Sequence, residues 1–156
     1  MVRFPITPEG LKKLEADLKK LYEVDRPANV RAIKEAREHG DLRENAEYKC
    51  AKDEQSMIAG RIAYLESRIA NASVIDLAKL SGDCVVFGAK VFLENLDTGE
   101  RVVYRIVGED EADINHGSIS ITAPIARGLI RRKLGEQVNI VTPSGTKKFM
   151  IFNVEF

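Results

Sequence analysis

Apolar residues from Leu11 onward fall three and four apart, at Leu11, Leu14, Leu18 and Leu21, the spacing of one stripe along a helix. Thr7 suits the N-cap, Pro8 the first helical position and Glu9 the positive end of the helix dipole, so the helix is expected to start there. The stripe weakens at Asp25 and Pro27; proline removes a helical hydrogen bond, and a kink or break is expected. The pattern resumes out of phase at Val30, Ile33 and Ala36 and stops at Gly40, which tolerates the left-handed conformation that ends helices. A second stripe, Tyr48, Ala51, Gln55, Ile58, Ile62, Leu65, Ile69 and Ala72, keeps a heptad rhythm with Gln55 as its polar member. Both stripes need a partner, and the short GDLREN link between them forces an antiparallel pair. Each arm of about 30 residues would be roughly 45 Å long at 1.5 Å per residue.

After Ala72 the period changes from helix to strand. Ser73 to Leu77 reads as an exit strand and Ala78 to Asp83 as a connector. Strand-like runs follow at Val85–Phe87, Lys90–Asn95, Val102–Val107, Ser118–Thr122, Val138–Thr142 and Lys148–Val154. Asp97-Thr98-Gly99 and Pro143-Ser144-Gly145 are turn signals between alternating runs and predict hairpins. Pro124 to Lys133 reads as the one helix of this region, with Ile125, Leu129 and Ile130 as its apolar face. The expected fold is α+β: an antiparallel coiled-coil hairpin over residues 1–77, then a mostly antiparallel sheet with one helix over 78–156.

Composition narrows the function. Charged residues make up 31% of the chain, an excess that a long solvated hairpin explains. The 24 basic and 24 acidic residues cancel, which does not favour a general duplex-DNA binder. Two cysteines, Cys50 and Cys84, no apolar leader and no membrane-length apolar run suggest a reduced, cytoplasmic protein with both cysteines packed and inert.

The chemistry concentrates in EAREHGDLRENAEY, Glu35 to Tyr48. Asp41, Glu44 and Glu47 lie at steps of three, and two readings of them stand. In one, Asp41 caps the second helix with Glu44 as its N3 partner, and spacing alone favours this. In the other, Asp41 and Glu44 are hard oxygen ligands for Mg²⁺, which takes about six oxygens, so that two carboxylates could only complete a site elsewhere. Arg37, Arg43, Lys49 and Lys52 either line the path of a nucleic-acid backbone or are ordinary solvated residues paired at i,i+4, as Lys49 with Asp53. Leu42 is a candidate partner contact. His39 reads as a helix-end residue compatible with the dipole, and His116 as a turn residue without a partner.

The tip segment closely resembles that of the Gre family of bacterial transcript cleavage factors, nearer its GreA-like than its GreB-like members. The likeness runs along the whole chain. It includes Thr7-Pro8-Glu9-Gly10, Arg26-Pro27, Asn71-Ala72 with Val74-Ile75-Asp76, and Phe87-Gly88-Ala89. It continues through Tyr104 to Gly108, Asp110-Glu111-Ala112-Asp113, Pro124 to Ile130, and Thr142 to Gly145. One departure is Arg131 and Arg132, where many members have a glycine after the helix.

The resemblance implies that the hairpin enters the secondary channel of bacterial RNA polymerase, while an FKBP-like C-terminal domain docks on the channel rim. Pro124, Ile125, Arg127 and Leu129 are the docking candidates. Asp41 and Glu44 would help hold a second Mg²⁺ and a water in the polymerase's own centre. The polymerase would then cleave the 3′ end of a backtracked nascent RNA, giving short products, and resume elongation. The chain is expected to be monomeric and no enzyme by itself. A channel-binding regulator that does not cleave would have altered tip acids, and both are present. A stand-alone prolyl isomerase follows only from the implied fold.

Overall fold

The computed structural model describes residues 3–40 and 45–156. It divides into two compact units, one of Leu11–Asn71 and one joining the chain up to Gly10 with Ala72–Phe156. The fold is α+β.

In the helical unit, α1 (Pro8–Lys20) is followed by a π-helical turn, Leu21–Asp25, and α2 (Arg26–Glu38). No break occurs at Pro27. Asp25 and Arg26 keep right-handed helical torsions, and the Arg26 N–H bonds back to the Leu21 carbonyl, five residues away. Proline's missing N–H is absorbed at the start of α2, where it costs least. The return arm, α3 (Ala46–Ala70), is one continuous helix; Ala72 lies beyond it in a strand.

The arms are antiparallel, since cross-arm bonds pair early residues with late ones. The Tyr22 hydroxyl donates to Glu66 Oε1, Asn29 Nδ2 to the Ala51 carbonyl at 2.9 Å, and Asn45 Nδ2 to the Ala36 carbonyl at 2.5 Å. Leu14, Ile33, Ala36, Ala51, Ile58, Ile62 and Leu65 are buried. The shift in phase exchanges one expected position: Asn29 is buried and Val30 is 58% exposed. Gln55 is exposed.

The second unit contains a parallel pair, β1 (Phe4–Ile6) with β2 (Ala72–Val74), and a five-stranded sheet. The sheet comprises β3 (Lys90–Asn95), β4 (Arg101–Val107), β5 (Ser118–Ser120), β6 (Gln137–Thr142) and β7 (Gly145–Glu155), in the order β5-β4-β3-β7-β6. The β3–β4 and β6–β7 pairs are the expected hairpins, and β5 joins β4 in parallel. The β3–β4 turn is held by Asn95 Oδ1, which accepts from the N–H groups of Asp97 and Thr98, and by Gly99 at φ +75°. The inward face, with Val91, Leu93, Ile106, Ile119, Val138, Ile140, Phe149 and Ile151, packs with Ala126 and Leu129 of α4 (Pro124–Leu129).

Three expectations change here. The segment Val85–Phe87 forms no strand; beside it Cys84 makes a single bridge with Lys133, and Val85 lies buried. The helix ends at Leu129 instead of continuing to Lys133, because the next residues turn to pair with that segment. Arg131 N–H donates to the Val85 carbonyl at 2.8 Å, and Val85 N–H to the Arg132 carbonyl at 2.7 Å. To do so Arg131 adopts φ +70°. Cys50, read as packed, is exposed; Cys84 is half-buried, and both are free. Among the described residues, no helix is long and apolar enough to cross a membrane.

Two motifs distant in sequence meet in this unit. Thr7 caps α1, its Oγ1 accepting from the Gly10 N–H at 3.0 Å. Its hydroxyl and N–H both donate to the Glu111 carboxylate, which also accepts from the Gly108 N–H at 2.8 Å. A Cβ at Gly10 would stand 2.4 Å from that carboxyl group, so only glycine lets the helix start approach it.

Candidate functional site

The last turn of α2 closes with His39, whose N–H bonds to the Ala36 carbonyl at 3.2 Å. Gly40 follows at φ +116°, the left-handed exit its identity predicted. Asp41, Leu42, Arg43 and Glu44 lie outside the described residues. The chain resumes at Asn45 with φ −84° and ψ 99°.

Asn45 joins the two arms where the chain resumes. Its Oδ1 accepts from the Tyr48 N–H at 3.0 Å, which makes it the N-cap of α3. Its Nδ2 donates to the Ala36 carbonyl, tying the start of one arm to the end of the other. The expected pairing of Asp41 as cap with Glu44 at N3 is therefore corrected: the cap is four residues later, and Glu47 is the acid in the first turn. The local signal is that Asn45, a residue type that favours the N-cap, directly precedes the helical run, while the acids at steps of three begin upstream of it.

Two further contacts brace the arms beside the tip. The Arg37 guanidinium lies 5.8 Å from the Tyr48 ring centroid. His39 Nε2 is 3.6 Å from Glu47 Oε2, with both side chains largely exposed. Arg37 thus has a bracing contact besides any role toward nucleic acid. Lys52 donates to Gln55 Oε1 at 2.8 Å. Lys49, expected to pair with Asp53, makes no ion pair with it among the described residues; its side chain is exposed. Among the described residues no cluster of His, Cys, Asp and Glu could hold a metal ion.

On α4, Pro124 and Arg127 are exposed and Ile125 is half-buried. Leu129 is fully buried, so it supports the helix from within and cannot touch a partner, contrary to its expected docking role. His116, expected to lack a partner, has one: its Nδ1 is 2.5 Å from Asp113 Oδ2.

Two family models match the chain: residues 4–74 fit the N-terminal domain of transcription elongation factors, and residues 80–156 the GreA/GreB C-terminal domain. The chain belongs to the GreA/GreB family of transcription elongation factors. Within this family, a transcription elongation factor GreA of Beijerinckia indica is 51% identical, covering 100% of this chain and 99% of its own. The GreA of Anaeromyxobacter sp. (strain K) is 53% identical, with 100% and 94% covered. The crystal structure of the GreA factor homolog 1 (Gfh1) protein of Thermus thermophilus aligns at 24% identity and a TM-score of 0.45, covering 99% of each chain. Family membership makes the chain a transcription elongation factor. Arg131 is held at φ +70°, where glycine would fit without strain.

Proposed function

We propose that this chain enters the secondary channel of bacterial RNA polymerase and stimulates the polymerase's Mg²⁺-dependent cleavage of the 3′ end of backtracked transcripts. Arrested complexes are thereby rescued, and the chain is not an enzyme by itself. The observation that supports this reading most is Asn45 in the cap position of α3. The N-cap of α3 is thus filled by Asn45 and not by either of the two acids.

The donor set suits the metal. Asp41 and Glu44 offer hard carboxylate oxygens of the type Mg²⁺ prefers, but too few for its roughly six-coordinate shell. The remaining oxygens would come from the polymerase, its bound RNA and water. Mg²⁺ held there would activate a water and offset charge on the phosphoryl oxygens. This chain's contribution is to deliver two carboxylates from between two braced helix ends: Gly40 ends one arm, Asn45 starts the next, and Arg37 with Tyr48 braces the arms. The exposed Pro124 and Arg127 offer the rim contact.

The test is cleavage in a stalled, backtracked bacterial elongation complex. Asp41→Asn and Glu44→Gln are each expected to slow cleavage on the order of 100-fold, the scale on which losing even an outer-shell partner of a metal ligand acts. Both variants should still compete with the wild-type chain for polymerase. Normal cleavage by both removes the catalytic assignment; loss of competition reassigns them to binding.

A further inference from the structure

We infer that the outer face of the five-stranded sheet binds single-stranded nucleic acid. The surface is built within the β-rich unit and does not depend on the reading of the tip.

Strands β3 and β4 place Lys90 directly opposite Arg105. Like charges in that position destabilise an antiparallel pair, so the arrangement works against the fold. Among the described residues neither cation has a carboxylate within ion-pair distance. Glu155 stands opposite Lys90 on the β7 side, where Asn153 Nδ2 holds its carboxylate at 3.3 Å. On the other side, Lys90, Arg105 and His116 share the lining of a shallow cleft of about 420 Å³. Asp113 anchors the His116 ring at the edge of that cleft. Phosphate is the chemistry that the paired Lys90 and Arg105 cations recognise.

The next residues along the same face are aromatic. Phe92, two positions beyond Lys90, meets Phe152 edge-on, with ring centroids 5.9 Å apart and planes at 60°. Phe152 is 37% exposed. Each ring carries a cation: Lys90 Nζ is 5.5 Å from the Phe92 centroid and the Arg101 guanidinium 4.7 Å from that of Phe152. Arg101 also reaches Glu94 at 3.9 Å, so its charge is partly neutralised, but its guanidinium stays over the ring. An unpaired base stacks on aromatic rings or on a guanidinium plane.

The Lys90–Arg105 pair beside an aromatic pair, about 7 Å further along the strands, thus matches backbone and bases of one strand. A duplex keeps its base faces covered and could use only the cations. An acidic peptide would likewise leave the rings unused. The chain's net charge of zero agrees with a local patch on an otherwise balanced surface.

The test uses the full chain and a fluorescein-labelled oligouridylate, read by anisotropy across a salt series, with oligothymidylate telling RNA from DNA. Joint Lys90→Gln and Arg105→Gln substitution is expected to lower the slope of log K against log salt by roughly 1.4, about 0.7 for each phosphate no longer neutralised. Phe152→Ala should weaken binding about fivefold or more without changing the slope. Unchanged melting of the Gln variant keeps the comparison on the surface alone. The inference is overturned if the oligomers do not bind at low salt, or if the sheet variants bind as wild type. Equal binding of a duplex overturns it too, and competition by polyglutamate as strong as by the oligomer makes the partner an acidic protein instead.

Discussion

Asn45 and Arg131 show two opposite ways in which one residue's backbone settles local structure. Asn45 adopts an ordinary extended conformation and uses both ends of its amide, capping α3 and reaching the Ala36 carbonyl. Asn45→Asp should retain the cap and remove the cross-arm donor, whereas Asn45→Ala removes both and should cost about 1 kcal/mol of stability from the cap alone. The discriminating measurement is cleavage: if bracing the tip matters, Asn45→Asp slows cleavage while melting stays close to wild type. Arg131 instead carries a side chain at φ +70°. That conformation costs a residue other than glycine about 1–2 kcal/mol. Glycine's freer unfolded chain takes back roughly 0.5–1 kcal/mol. Arg131→Gly should therefore raise the melting temperature by a few degrees. An unchanged or lower melting point would mean that the Arg131 side chain has a compensating contact.

At the level of elements, the first arm keeps its helical course through Pro27 by means of the π-helical turn, and that turn supplies Tyr22 to the opposite arm. The Tyr22 hydroxyl donates to Glu66, and this bond, with burial and the carboxylate's charge, raises its pKa above the ordinary 10.0. Arg26, beside the ring, opposes the shift. A raised pKa in the folded state stabilises the protonated form. The contribution is therefore fully present below pH 10.0 and is lost as pH rises through the folded value. Ultraviolet titration of wild type against Tyr22→Phe should place this ionisation above 10.0, and Glu66→Ala should bring it back down. The contact is exposed, so it aligns the arms more than it stabilises them.

At the scale of the whole molecule, chemistry and folding are kept apart. The buried core of the sheet uses aliphatic and aromatic residues alone, while the candidate catalytic acids sit in a four-residue segment between helix ends. Incubated with RNA and Mg²⁺ in the absence of polymerase, the chain should release no product at any metal concentration, and chelation should stop cleavage in the complete complex. RNA cutting by the purified chain alone would mean that it holds a site of its own.

What could be read from sequence and what could not divide along chain distance. Regular spacing of Leu14, Ile33, Ala36, Ile58, Ile62 and Leu65 determined both arms and their antiparallel pairing, because a stripe and a short link are local properties. The hairpin turns at Gly99 and Gly145 and the stop at Gly40 were legible for the same reason: each needs a positive φ that glycine supplies. The tip acids were legible as a pattern, but the cap of α3 was settled only by the Asn45 side chain meeting the Tyr48 N–H. Long-range partners were not legible. Phe4–Ile6 is too short to signal a strand until Ala72–Val74 pairs with it, and Thr7 and Gly10 meet Glu111 from the far end of the chain. Arg131 leaves the helix because Val85 offers it hydrogen bonds. The pairing of Lys90 with Arg105, and of Phe92 with Phe152, likewise comes from strand register. Propensity acts over a few residues; only the folded chain brings these groups within bonding distance.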